Sequence, residues 1–279
     1  MLLAGCGDIG LHLGRMLVGK GWAVTGLKRS TKDDAGFVIF QGDLLDPDSL
    51  QGLAPQYDFI VYTATPGSRT PEGYEDAYIT GLKNLMKATA QPSERFFLVS
   101  SSGVYQQSSG EWVDEDSPTL PESFSGKILL RSEQLAQASW DNTSVVRFAG
   151  IYGPGRLRLV RKVQQGCSVV ADPIKYTNRI HRDDCVRLLA FLMEKQLAGV
   201  SLAPLYLGCD DTPVGEAEVL EYLADLLNVP PPLRETKQPP VNQNKRCSNQ
   251  RITELGFHFQ YPGYREGYLQ ILRQDGLLL

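Results

Sequence analysis

Histidine is scarce in this 279-residue chain, at three residues, and its five cysteines are scattered (Cys6, Cys167, Cys185, Cys209 and Cys247). No two of these cysteines sit at metal-type spacing, so no structural metal site is expected. An odd, dispersed set in a chain of this size reads as reduced thiols and predicts a cytoplasmic location. Long apolar runs are missing as well, and with them any expected membrane span. A formal net charge of −4 lacks the basic footprint of a protein that binds nucleic acid or anionic membrane. The stretch LAGC at residues 3–6 imitates a lipoprotein cleavage box. Only two residues precede it, without a basic or apolar leader, so it is not read as a targeting signal. Internal repeats and low-complexity arrays are also absent. Small soluble ligands are the expected partners.

What is present is the composition of an ordinary globular protein, 42% hydrophobic and 22% charged, with length enough for a full core. As far as about Val146, short apolar runs alternate with amphipathic segments. Strands are expected at Met1–Ala4, Ala23–Leu27, Phe37–Phe40, Phe59–Tyr62, Phe96–Val99 and Ser144–Phe148, with helices such as LHLGRMLVGKG and AYITGLKNLMKATA between them. Continuous apolar strands separated by helices predict an α/β fold, a doubly wound parallel sheet covered on both faces. Residues 1–150 are read as a dinucleotide-binding Rossmann domain, and 151–279 as a smaller capping lobe that returns in part to the sheet. In that lobe RIHRDDCVRLLAFLMEK and VGEAEVLEYLADLLN read as helices and PLYLGCD as a strand. VPPPLRETKQPPVNQNKR reads as a Pro-rich connection, and YPGYREGYLQILRQ as a closing helix.

Directly after the first strand, GCGDIG places Gly5, Gly7 and Gly10 in the spacing G-x-G-x-x-G, with Asp8 and Ile9 opening the helix. Strand before and helix after are the context that gives this spacing meaning. The first glycine allows a tight turn, the second lets the backbone approach a pyrophosphate, and the third lets helix and strand pack closely. The helix N-terminus then favours the phosphates. In an NAD-specific site an acidic residue about 20 positions on would bind the ribose 2′-hydroxyl. Here Lys28, Arg29 and Ser30 stand in its place. Two cations and a hydroxyl suit a 2′-phosphate, so NADP is expected as the preferred cofactor and NAD as the alternative.

Further stretches resemble the extended short-chain dehydrogenase/reductase superfamily of the NAD-dependent epimerase/dehydratase type. GDLLDPDSL is similar to the motif after the third strand, which implies that Asp43 and Leu44 flank the adenine. VYTATP resembles the fourth strand and places Thr63, Ala64 and Thr65 along the cofactor. LVSSSGVYQ resembles the segment with the active-site serine, a role that falls on Ser101. VVRFAGIYGPGR is similar to the sixth-strand exit, where the backbone of Phe148 and Ala149 would reach the nicotinamide. NRIHRDD resembles the late motif around His181 and Asp184. The likeness covers nearly the whole chain and lies closest to an atypical bacterial branch, the YeeZ-like proteins.

That superfamily carries a Tyr-x-x-x-Lys pair on the helix after the serine strand, the cation making a phenol usable as an acid or base. Matching Gly126 and Glu133 puts Ser125 at the tyrosine position and Leu129 at the lysine position. None of the 12 tyrosines is followed four residues later by lysine; Tyr152 and Tyr261 are followed by Arg156 and Arg265. Candidate catalytic groups are therefore Ser101, Tyr105 and His181. The serines have a second reading as strand-end hydroxyls that satisfy loop backbone. For Tyr105 and His181 the second reading is packing.

Three functions stay open at this stage. One is an atypical oxidoreductase or epimerase acting on a carbonyl or sugar-nucleotide small molecule. The second is a non-catalytic NADP(H)-binding or redox-sensing module, and the third a scaffold with a vestigial site. A homodimer through the helices that flank the sheet is a further expectation.

Overall fold

A computed structural model of the chain describes residues 1–30, 35–236 and 243–278. Its centre is a seven-stranded sheet. From one edge to the other the strands are Leu205–Gly208, Thr143–Phe148, Arg95–Ser101, Phe59–Tyr62, Leu2–Ala4, Thr25–Lys28 and Val38–Gln41. The pairs that join Leu2–Ala4 to both its neighbours, Thr25–Lys28 to Val38–Gln41, and Phe59–Tyr62 to Arg95–Ser101 are all parallel. Phe59–Tyr62 is buried at every position, which is why it reads as a continuous apolar run; Thr143–Phe148 is buried throughout as well, its polar Thr143, Ser144 and Arg147 included.

Helices cross between the strands: Asp8–Gly19 after the first, Phe124–Ser139 after the serine strand, and Arg182–Leu197 before the edge strand. The first strand lies between the second and fourth in chain order, so successive strands are laid down outward in opposite directions from that point. In sheets of this kind the crevice at such a switch point is where ligands bind.

Two expected boundaries moved. The run from Arg179 forms a strand, Arg179–His181, before the helix starts at Arg182. It pairs in parallel with Gly150–Tyr152, and this pairing overrides the helical periodicity of the residues that follow. The Pro-rich connection contains the strand Leu233–Thr236 and runs into the strand Lys245–Cys247; its residues 237–242 lie outside the described residues.

By internal contacts the chain forms two compact units. The first comprises Met1–Val104, Thr119–Arg147 and Val186–Tyr206, and the second Tyr105–Pro118, Phe148–Cys185 and Leu207–Leu279. One crossing, at Arg147 and Phe148, is next to the boundary expected near residue 150; the segment Val186–Tyr206 then returns to the first unit. The first unit's core includes Leu2, Ile60, Phe96, Leu98 and Trp140. The second packs helix Glu216–Leu227 against helix Tyr264–Gln274 through Leu220, Leu223, Tyr268 and Ile271. No helix among the described residues is long and apolar enough to cross a membrane.

Candidate cofactor site and serine strand

The glycine loop leaves the first strand with Gly5 at φ +78°, where a Cβ would come within 2.4 Å of the Ala64 Cα. Backbone conformation and lack of space both demand glycine here. The turn is fastened by N–H donation from Gly5 and Cys6 to the Leu27 carbonyl, at 3.2 and 3.0 Å. Gly7 differs: a Cβ there would meet nothing nearer than the Gly5 carbonyl oxygen at 3.9 Å. The space above Gly7 is open, and helix Asp8–Gly19 begins there without a side-chain cap. An uncapped helix start under an open glycine is a cradle for an anionic group.

A cavity of about 720 Å³ extends from this cradle. Gly5, Gly7 and Asp8 line it, and so do Lys28, Arg29 and Ser30. Asp43, Leu44, Ala64 and Thr65 form further wall, as do Ser68, Gly73, Asp76 and Ala77, which the motifs did not single out. Asp43 shapes its own loop, accepting the Leu45 N–H at 3.0 Å, and the Leu44 carbonyl accepts from Asn84 Nδ2 at 2.8 Å. The loop's Cys6 is buried, which pushes its thiol up to about 11. It is a packed, protonated group.

The other expected cofactor residues stand elsewhere. Ile9 and Gly10 are buried on the inner side of the helix. Thr63 lies beneath the loop, its hydroxyl donating to the Gly5 carbonyl at 2.9 Å. Phe148 and Ala149 are buried in the second unit, and the Ala149 N–H donates to the Gly208 carbonyl at 2.9 Å.

The three serines divide their work. Ser100 is buried and donates to Glu133 Oε1 at 2.5 Å. Arg147 grips the same carboxylate, with Nη2 2.6 Å from Oε2. Ser101 is half-buried, and its Oγ accepts the Gly103 N–H at 3.1 Å. Ser102 opens the 3₁₀ turn Ser102–Val104. Helix Phe124–Ser139 packs close to this turn: a Cβ on Gly126 would lie 2.8 Å from the Gly103 carbonyl oxygen. On that helix Ser125 is half-buried, Leu129 buried and Glu133 buried, one turn apart on one face.

Tyr105 and His181 belong to the second unit, and both are fully buried. The Tyr105 carbonyl accepts from Lys245 Nζ at 3.0 Å. His181 lies in an aromatic box, 3.9 Å from the Tyr261 ring centre and edge-on to Tyr152 at 5.3 Å. Its Nδ1 accepts the Asp183 N–H at 3.2 Å. Burial holds the imidazole below its ordinary pKa, opposed by Asp183 and Asp184. Nε2 is buried without a hydrogen-bond partner among the described residues. Asp184 accepts the N–H groups of Gln260 and Tyr261 at 2.9 and 2.8 Å and so ties a loop to the helix. Among the described residues no group of acidic, histidine and cysteine side chains has the arrangement of a metal site.

Known proteins carry the same architecture. The chain is 27% identical over 278 residues to protein YeeZ of Escherichia coli O157:H7, covering 93% of this chain and 95% of that protein. A candidate NAD-dependent epimerase/dehydratase from Methylobacillus flagellatus superposes with a TM-score of 0.84 at 36% identity, covering 99% of this chain and 98% of that one. The structure of MoeE5 in complex with UDP-glucose and NAD has a TM-score of 0.77 at 24% identity and shares the fold over 98% of each chain. The model of the NAD dependent epimerase/dehydratase family matches residues 1–202. With the glycine cradle at the switch point and this match over most of its length, the chain belongs to the NAD-dependent epimerase/dehydratase family.

Proposed function

We propose that the first unit's cavity holds NADP(H), in preference to NAD(H), and that the protein is an atypical oxidoreductase or epimerase of carbonyl or sugar-nucleotide substrates. The observation that carries this is the cradle, an open Gly7 at an uncapped helix start, which shares one cavity with Lys28, Arg29 and Ser30. The glycine loop orients a pyrophosphate, the two cations and the hydroxyl meet the 2′-phosphate, and Asp43 and Leu44 flank the adenine. A bound nicotinamide supplies hydride transfer. The substrate class is carried over from relatives of the kind that bind UDP-glucose beside NAD.

Ser101 is the candidate that keeps exposed surface, so it is the group we assign to polarising a substrate carbonyl, directly or through a water it holds. Tyr105 and His181 present no surface in this conformation. They handle protons only if their surroundings open.

The test is hydride exchange with NADPH or NADP and a panel of UDP-sugars and simple carbonyls, run on wild type and Ser101→Ala. Turnover that falls about 100-fold in Ser101→Ala supports the reading; turnover unchanged by the substitution removes Ser101 from it. A second reading, a protein that binds NADP(H) and signals its redox state without turnover, is favoured by Leu129, a buried apolar residue at the expected lysine position. Tight cofactor binding with no exchange on any substrate selects that alternative.

A further inference from the structure

The helical run from Pro71 to Ala88 is not one regular helix. It starts as α-helix over Pro71–Glu75, with Thr70 accepting the Gly73 N–H as a cap. It widens to a π turn over Asp76–Thr80 and resumes as α-helix over Gly81–Ala88. A π turn holds one residue more than an α turn and leaves a main-chain carbonyl without its usual helical partner; such turns are frequent at functional sites. Here the Ala77 carbonyl accepts the hydroxyl of Tyr62 at 2.5 Å. Tyr62 ends the central strand Phe59–Tyr62 and is fully buried. Burial raises its phenol pKa well above the ordinary value, so it remains a donor.

Three further contacts connect this bond to the cavity. Asp76 and Ala77, both in the π turn, lie on the cavity wall. Gly81, which resumes the α-helix, has no room for a side chain. A Cβ there would lie 2.9 Å from Tyr62 Oη, 3.1 Å from Leu44 Cβ and 3.2 Å from the Asp76 carbonyl oxygen. Asn84, one turn later, holds the Leu44 carbonyl. One buried phenol therefore stands where the π turn, the Leu44 loop and the central strand meet. Tyr62 itself does not line the cavity.

We propose that Tyr62 is a positioning residue of the cofactor site: by taking the carbonyl that the π turn releases, it fixes Asp76, Ala77 and Leu44 as the wall for the adenosine half of the dinucleotide. This rests on the reading that the cavity holds NADP(H). Tyr62→Phe keeps the ring and removes only the donor, and takes from the half-buried Ala77 carbonyl its hydrogen bond to the phenol. Gly81→Ala leaves the phenol in place and pushes a methyl group against it.

The experiment is calorimetric titration of each full-length variant with NADPH well below its melting temperature, with amide hydrogen exchange of the unliganded proteins read over residues 71–88. Both single variants are expected to bind NADPH about tenfold more weakly than wild type and to exchange faster over 76–81. The double variant Tyr62→Phe/Gly81→Ala should bind no worse than either, because the phenylalanine leaves space for the methyl; such non-additivity marks residues in contact. Should Tyr62→Phe not fold, Gly81→Ala carries the same expectation. A purely structural Tyr62 would lower the melting temperature and leave the dissociation constant alone, and that result overturns the proposal. Wild type that binds no dinucleotide overturns the cofactor reading and this proposal with it. Normal binding by wild type and variants alike overturns this proposal only.

Discussion

Arg147 and Glu133 form an ion pair inside the first unit: Nη2 stands 2.6 Å from Oε2, Nε lies 3.1 Å from Oε1, and both side chains are almost wholly buried. Ser100 completes the carboxylate's shell, so strand Arg95–Ser101, helix Phe124–Ser139 and strand Thr143–Phe148 meet at one group. Glu133→Ala removes one partner and strands a buried guanidinium. The expected cost is about 3–5 kcal/mol, visible as a melting temperature lower by about 10 °C. Replacing all three polar groups, as Ser100→Ala/Glu133→Leu/Arg147→Met, should recover most of the loss, because an apolar cluster of similar volume leaves nothing unpaired.

Gly5 and Gly7 separate stability from binding. Gly5→Ala meets the Ala64 backbone at a positive φ and should destabilise the fold by about 1–3 kcal/mol. Gly7→Val projects into open space, so its melting temperature should stay near that of wild type while NADPH no longer shifts it. A Gly7→Val protein that is still stabilised by NADPH would show that the phosphates do not pass over this loop.

Arg29 tests the cofactor preference. It is exposed at the cavity edge, and its removal should cost little stability. Arg29→Ala is expected to weaken NADPH binding about tenfold, in line with the loss of one charge-assisted contact, and to leave NADH nearly unchanged. Equal weakening of both would place the residue away from the 2′-phosphate.

Asp210 predicts a pH dependence. Burial pushes its carboxyl up from 3.8 to about 8, against a hydrogen bond from the Thr212 N–H. Oδ2 is buried without a partner among the described residues. Between those two values the folded state binds more protons than the unfolded state at this group, so its stabilising contribution is complete below about pH 4 and is lost as pH rises toward 8. The melting temperature of Asp210→Asn should therefore gain on wild type as pH rises from about 5 to 8. Parallel melting curves across that range would contradict the assignment.

Sequence alone reached the parts of the molecule that local pattern encodes. Phe59–Tyr62 was expected at its observed limits, because a run buried on both faces is apolar throughout. The glycine loop was legible because its turn, close approach and helix start lie within six residues. The π turn was not, since AYITGLKNLMKATA has the same apolar spacing whether or not one turn is widened. Nor were Tyr62 with Ala77 or Glu133 with Arg147, pairs that meet only through the fold. Among the candidate catalytic residues the motif located Ser101 at a strand end. It carried no information on the burial of Tyr105 and His181, which depends on residues such as Lys245 and Tyr261 far along the chain.

The most direct test of the account is calorimetric titration of the wild-type protein with NADPH and, separately, with NADH. It predicts one site per chain and a dissociation constant about tenfold lower for NADPH. Tighter binding of NADH would contradict the preference read from Lys28, Arg29 and Ser30, and no binding of either dinucleotide would contradict the cofactor site itself.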